Sequence, residues 1–324
     1  MTAIAASLTD RKKFYMLPSA LLCWVGSFFF LARVAPAIEF IPQNSAVFLG
    51  ATALTFLSAL VVYGFSCLGL HRTAYLLTGV VAAVMVFKAA TPLVNRSKAI
   101  NLSGAIAGEM LFISAGISGL QTQPDKLLVE PRNRIFLAVS GETASAMPES
   151  ASTIVLLCLL QLTLASGLGL WIGEGIDAVS HLIPVALVAT LADIWSVSAG
   201  ATSMIIVSSA INYFLLRFPV PGSSEIPYLI GLTDFLFFAI FFQAARRFAL
   251  GTKKNVVLLL SSFLLTVAAA LFFKVGLPVL PFMALFFVAG NFRKLELKKE
   301  ETKQILVFVV VILTIFSAIS FFGR

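Results

Sequence analysis

Two aspartates lie inside apolar stretches of a chain that contains only three other aspartates. Asp193 lies in the stretch LADIWSV, and Asp234 lies in the stretch GLTDF. A carboxylate at membrane depth costs several kcal/mol on insertion scales, so such residues are rare and are functional by default. Two of them on successive hydrophobic segments predict a pair that shares one proton.

The chemistry that fits this pair is hydrolysis of a peptide bond inside a membrane. Two carboxylates a few ångströms apart cannot both ionise easily, so one proton is held between them. The ionised carboxylate then acts as a base towards water, and the protonated one acts as an acid towards the carbonyl oxygen or leaving amine. A low local dielectric strengthens this coupling.

The composition is that of an integral, multi-pass membrane protein. The chain is 59% hydrophobic with a mean hydropathy of +1.00, whereas soluble domains are about 45–50% apolar. The net charge of +8 is spread over membrane-flanking clusters, so it reports topology and favours no nucleic-acid partner. Three cysteines in apolar segments and two distant histidines give neither a disulfide framework nor a metal site. We therefore expect no metal and no cofactor.

The fold class is predicted to be an all-α polytopic membrane protein with about nine transmembrane helices. About 20 apolar residues cross a bilayer core of about 30 Å. A shorter ninth run, 277–291, begins with Pro278-Val279-Leu280-Pro281. The eight longer runs are 14–38, 46–70, 73–94, 152–172, 181–199, 226–245, 255–273 and 304–322.

Charge bias predicts the orientation of these spans. Basic clusters at 11–13, 246–254 and 292–303 place the N-terminus and both loops in the cytoplasm. The number of crossings before residue 246 must then be even, which favours an extracytoplasmic position for 95–151. This segment is predicted to be partly β, because 134–140 reads RIFLAVS. The alternative, in which 99–120 is a further span, leaves one basic cluster on the wrong face.

The predicted topology brings both aspartates to a similar depth. Asp193 lies six residues before the outer end of its span, and Asp234 lies eight residues after the outer start of its own. At about 1.5 Å per residue, both lie roughly 10 Å below the outer surface. Pro278 opens its span from that face. The segment 201–216 is predicted to be a tilted interfacial helix or a re-entrant piece that covers the site.

Over about residues 181–291, these motifs resemble those of the presenilin and signal peptide peptidase family. That family carries Tyr-Asp on one span, Gly-x-Gly-Asp on the next and Pro-Ala-Leu at the start of a later one. The matching positions here are Ala192-Asp193, Gly231-Leu232-Thr233-Asp234 and Pro278-Val279-Leu280. The chain departs from the pattern at Ala192, Thr233 and Val279, and the β-branched Thr233 fills space that glycine leaves open.

The resemblance implies an aspartic-type intramembrane endopeptidase, a hydrolase that cleaves transmembrane helices or signal-peptide remnants of single-span membrane proteins. It implies Asp193 and Asp234 as the catalytic dyad. The outward-facing site is similar to the signal peptide peptidase orientation. The implied substrate-binding residues are Gly231, Leu232, Thr233, Pro278, Val279, Leu280 and Pro281.

The implied organisation has four parts. They are 1–94, N-terminal membrane helices; 95–151, the extracytoplasmic segment; 152–291, a presenilin-like catalytic core; and 292–324, a cytoplasmic basic loop with a C-terminal membrane helix.

Other functions fit parts of the same pattern. An intramembrane aspartate also serves proton- or ion-coupled transporters, or pairs structurally with a basic residue such as Lys88. Thr233 leaves open a pseudoprotease that binds helices without cutting them. The stretch GISG at 116–119, with His181 as base, matches rhomboid serine proteases over four common residue types. The glycines of 167–173 fail the dinucleotide-binding spacing and favour close helix packing.

Overall fold

The computed structural model describes residues 2–38, 40–92, 150–198, 211–223, 226–273 and 277–295, with isolated positions 303, 307, 311 and 314. Several predictions fall outside these residues: the extracytoplasmic segment before residue 150, the GISG motif, most of 201–216 and most of the span 304–322. The described chain is mostly helical. Its helices are α1 Thr2–Val34, α2 Gln43–Cys67, α3 Arg72–Pro92, α4 Ala151–Gly175, α5 Leu182–Ser198, α6 Leu232–Arg247, α7 Thr252–Phe273 and α8 Val279–Asn291.

Five helices are long and apolar enough to cross a membrane. They are Tyr15–Ala37, which includes most of α1, together with α2, α3, α4 and α7. The remaining three, α5, α6 and α8, have 17, 16 and 13 residues. The prediction of a helical membrane protein is confirmed in this coarser form, but the count of nine spans is not.

The predicted span 226–245 is not one continuous helix. Its first part forms strand β2, Tyr228–Gly231, which pairs antiparallel with strand β1, Leu215–Arg217. The register aligns Leu215 with Gly231, with an irregularity between Leu216 and Arg217. A short apolar run carries no periodicity that separates a buried strand from a helix, which explains the error. The segment 201–216 was predicted to be a tilted interfacial helix or a re-entrant piece. Its described end is a helical turn, Ile211–Phe214, followed by β1.

Helix α4 lies at the centre of the bundle because its glycines let other helices approach its backbone. A Cβ atom added to Gly167 would lie 2.7 Å from the amide nitrogen of Gly79 on α3. A Cβ added to Gly169 would lie 2.5 Å from the carbonyl oxygen of Leu236 on α6, and one added to Gly173 would lie 2.8 Å from that of Ile240. The packing role predicted for these glycines is confirmed.

Phenylalanine rings join α6 to the two helices that follow it. The ring of Phe235 stacks on that of Phe263 in α7, with centroids 5.4 Å apart. The ring of Phe241 stacks on that of Phe287 in α8 at 4.7 Å. All four side chains are fully buried. Aromatic pairs add about 0.5–1.5 kcal/mol beyond their buried area, so these contacts fix the position of α6.

Helices α7 and α8 are antiparallel, so that α7 begins and α8 ends at the same edge of the protein. The side-chain amide of Asn291, the last residue of α8, donates to the Asn255 side chain near the start of α7 at 2.5 Å. Beyond α8, the Lys294 ammonium donates to the carbonyl oxygen of Ala249 at 3.0 Å. The described start of the basic loop 292–303 therefore lies beside the basic loop 246–254.

We expect Gly169→Ala to destabilise the protein by about 1–3 kcal/mol, because overpacking forces well-packed elements apart. The added methyl group would meet the backbone of Leu236 and the side chain of Ala239 on α6. Thermal unfolding of the detergent-solubilised protein measures the loss.

The matched control is Gly26→Ala on α1, where an added Cβ meets no atom within 4 Å. This variant should unfold at the native temperature or slightly above it. Equal destabilisation by both substitutions would contradict a special contact between α4 and α6.

Candidate active site

The carboxylate of Asp193 lies at the N-terminus of α8. Its Oδ2 atom accepts a hydrogen bond from the backbone N–H of Leu280 at 3.0 Å, and the backbone N–H of Val279 lies close to the carboxylate. Asp193 is half-buried in the second half of α5, and α5 packs along α8. The chain thus joins an aspartate to a segment 87 residues away.

Proline at the start of α8 explains why this helix takes its cap from elsewhere. The first N–H groups of a helix have no intrahelical acceptor. Pro278 occupies the N-cap position, with φ −68° and ψ 134°, and makes no side-chain cap. Asp193 supplies the missing acceptor from another helix, and a negative charge is favourable at the positive end of the helix dipole. Pro281 lies in the first turn, where its missing N–H leaves no hydrogen bond unmade.

Asp234 lies at the N-terminus of α6, as the carboxylate of Asp193 lies at that of α8. It is the third residue of the helix, and its side chain is 9% exposed. Its Oδ2 atom accepts from the N–H of Gly231 at 3.2 Å, which is the N-cap residue and also the end of β2. A Cβ added to Gly231 would lie 3.0 Å from that same oxygen. Glycine here leaves the carboxylate room beside the backbone.

The two carboxylates belong to one site. Helix α6 contacts both α5 and α8, and the charge of Asp193 acts on the carboxyl group of Asp234. The sequence placed Asp234 eight residues inside its span, whereas the strand before α6 puts it in the first helical turn. Each carboxylate therefore lies at the N-terminus of a helix, that of Asp193 at the start of α8 and that of Asp234 at the start of α6. Backbone N–H groups face the carboxylates there.

The remaining residues, which were predicted to bind substrate, differ in their exposure to solvent. The side chains of Leu232 and Leu280 are buried, at 8% and 4% exposure, so they belong to the core. Thr233 is exposed on α6, next to Asp234. The Pro278–Pro281 segment lies beside Asp193 as predicted, but it is the first turn of α8 and not a separate turn.

A polar cluster holds the antiparallel pair of strands β1 and β2, here called the hairpin, against α4. The sequence did not predict this cluster. The hydroxyl group of Tyr228 donates to Oδ1 of Asn212 at 2.6 Å. The side-chain amide of Gln161, on α4, donates to the backbone oxygen of Asn212 at 3.0 Å. The Arg217 guanidinium lies 4.7 Å from the centre of the Tyr228 ring. Gln161 is the residue from which this cluster could have been predicted, because a buried glutamine in an apolar span needs a hydrogen-bond partner.

No protein-family model matches the chain. No similar curated protein or solved structure was found. The resemblance to the presenilin and signal peptide peptidase family therefore rests on the three short motifs and on their arrangement.

The alternative partners for the aspartates lie elsewhere. Within the residues that the structure describes, neither Asp193 nor Asp234 forms a salt bridge; the ion pair there joins Arg247 to Asp177 at 3.4 Å. The Lys88 side chain is exposed on α3. His181 is exposed at the end of a short 3₁₀ turn, and the serine of the GISG motif lies outside the described residues.

We expect Asp193→Ala to cost about 0.5–2 kcal/mol of stability, the usual loss when a helix cap is removed. Asp193→Asn should cost less, because its amide oxygen still accepts from the N–H of Leu280. Thermal unfolding in detergent compares the two variants with the native protein. An alanine variant as stable as the asparagine variant would contradict the capping role.

Proposed function

We propose that the protein is an intramembrane aspartyl protease in which Asp193 and Asp234 form the catalytic dyad. The observation that carries this proposal is that Asp193, which caps α8, lies within electrostatic range of the buried carboxyl group of Asp234, 41 residues away in the sequence. Carboxylates are costly at this depth, and helix capping does not require two of them to lie close together. Their mutual proximity supports a shared chemical task.

The surroundings of the two carboxylates assign their roles. Asp193 is half-buried and accepts a backbone N–H at the N-terminus of α8, which stabilises its ionised form better than the surroundings of Asp234 stabilise that of Asp234. Asp234 is almost fully buried and accepts one, an environment that favours the protonated form. In the proposed mechanism Asp193 is the general base and Asp234 is the general acid.

Hydrolysis then proceeds without a cofactor. Asp193 removes a proton from a water molecule, whose oxygen attacks the carbonyl carbon of the scissile bond, while Asp234 protonates the carbonyl oxygen. This produces a neutral gem-diol. When it collapses, Asp234 takes back the proton of one hydroxyl group, Asp193 gives its proton to the amine nitrogen, and the carbon–nitrogen bond breaks.

The proposed substrate is the transmembrane helix of a single-span protein or a signal-peptide remnant. A peptide bond in a helix must be unwound before a dyad reaches it, and the freed backbone groups then need partners. Non-helical backbone already adjoins the dyad, since β2 leads directly into Gly231 and Asp234. The proposal retains the cytoplasmic N-terminus, the outward-facing site and nine spans.

A helix-binding pseudoprotease is the second candidate, and one observation favours it. Both carboxylates already accept backbone hydrogen bonds, so each has a structural task that would survive the loss of catalysis. Thr233, exposed beside Asp234, narrows the approach to the carboxylate in comparison with glycine.

We expect Asp193→Asn or Asp234→Asn to abolish cleavage of a single-span membrane substrate by the purified protein. Either change removes one member of the acid–base pair, which contributes about 10²–10⁴-fold to such reactions. The fold should survive, because an amide retains the capping oxygen and costs less to bury than a charge. Product formation is followed by gel electrophoresis and mass spectrometry.

The matched control is Asp177→Asn, which neutralises an exposed aspartate paired with Arg247. This variant should cleave at the native rate. Cleavage retained in both dyad variants would refute the proposal.

We expect Thr233→Gly to raise the rate of cleavage or to broaden the range of substrates, because it removes a β-branched side chain beside Asp234. A panel of helical peptides with different residues around the cut site measures both effects. If neither the native protein nor this variant cleaves any peptide, the pseudoprotease becomes the better description.

A further inference from the structure

A basic cavity lies at the edge where α7 begins and α8 ends, far along α8 from the aspartates. Its volume is 530 Å³. It is lined by three cationic side chains, those of Lys254, Arg293 and Lys294, together with the last residues of α8 and Phe292. Among the residues that the structure describes, no acidic residue lines it. Neither the proposed protease chemistry nor the capping of α8 uses this cavity.

The local structure holds two of the cations in place. The ammonium group of Lys254 donates to the backbone oxygen of Gly290, and that of Lys294 donates to the oxygen of Ala249 at 3.0 Å. Each ammonium group has three donors, so two remain for an anion. The Asn255–Asn291 amide pair, buried directly beneath, fixes the two helix ends relative to each other.

The described residues that line the cavity carry charge of one sign. Residues 246–254 and 291–295 contain six lysines and arginines and no aspartate or glutamate. The Arg247 guanidinium is paired with Asp177. An anion in the cavity would therefore meet an excess of positive charge, and arginine in particular matches a phosphate group with two parallel hydrogen bonds.

The cavity also borders the apolar surface. Phe292 is 74% exposed. It directly follows α8, an apolar helix whose other end is capped by Asp193. Charge bias places this edge at the cytoplasmic leaflet, where anionic lipids concentrate. A ligand that fits both features has a phosphate group beside acyl chains.

We propose that this cavity binds the headgroup of an anionic phospholipid. The phosphate lies among Lys254, Arg293 and Lys294, and the acyl chains run along the surface beside Phe292. The site is independent of the proposed proteolysis, and its loss leaves the dyad in place.

The test uses the full-length protein in mild detergent, titrated with dioleoylphosphatidylglycerol or with dioleoylphosphatidylcholine. Native mass spectrometry counts the bound lipids. We expect the anionic lipid to bind more tightly than the zwitterionic one. Arg293→Gln should weaken its binding about tenfold, the loss expected when one hydrogen bond between charged groups is removed, and adding Lys254→Gln should weaken it further.

Lys253→Gln is the matched control. It removes the same charge from the same loop, but Lys253 is exposed and does not line the cavity. It should leave binding close to native. Equal weakening by Lys253→Gln and Arg293→Gln would show diffuse attraction to the surface and would overturn the site.

A third arm replaces the lipid with inorganic phosphate. Displacement of phosphatidylglycerol by an equal concentration of phosphate would identify a soluble anion as the ligand and overturn the lipid assignment. Equal affinity for the two lipids would overturn it as well. If the double variant fails to fold, Arg293→Gln alone carries the test, because it leaves both lysine–carbonyl hydrogen bonds intact.

Discussion

A helix that begins inside an apolar environment must find acceptors for its first N–H groups, and this constraint organises the centre of the protein. Water is not available there to accept them, and each unsatisfied group costs several kcal/mol. Helix α8 begins after a proline and takes its acceptor from Asp193. Helix α6 begins after a strand and takes its acceptor from its own Asp234. Each carboxylate is therefore found where a helix begins and its first N–H groups need an acceptor.

The same constraint connects the distant parts of the bundle. Helix α6 can present Asp234 only if its backbone lies close to α4, and the glycines of α4 permit that approach. The hairpin that precedes α6 is held by Gln161 and Asn212. The Phe235 and Phe241 stacks hold α6 against α7 and α8. Long helices thus form a frame for the short helices α5 and α6, which carry the two aspartates.

The sequence alone predicted those features that depend on composition or on the order of motifs. Long apolar runs identified the five candidate spans, and the order of the aspartates and Pro278 indicated that Asp193 and the start of α8 would meet. Strand β2 was missed, because Tyr228–Gly231 is short, apolar and without a distinguishing period. The capping of α8 by Asp193 was missed because it joins residues 87 positions apart. Such a contact is a property of tertiary packing, which local patterns do not encode.

Helix α8, with 13 residues, spans only about 20 Å, whereas the hydrocarbon core of a bilayer measures about 30 Å. Membranes meet such hydrophobic mismatch by thinning around the short segment. Under the proposed nine-span topology, thinning beside α8 would draw the headgroup region, and the water it contains, towards the end of the helix that Asp193 caps. The shortness of the helix would then shorten the path by which a water molecule reaches two carboxylates that lie among apolar side chains.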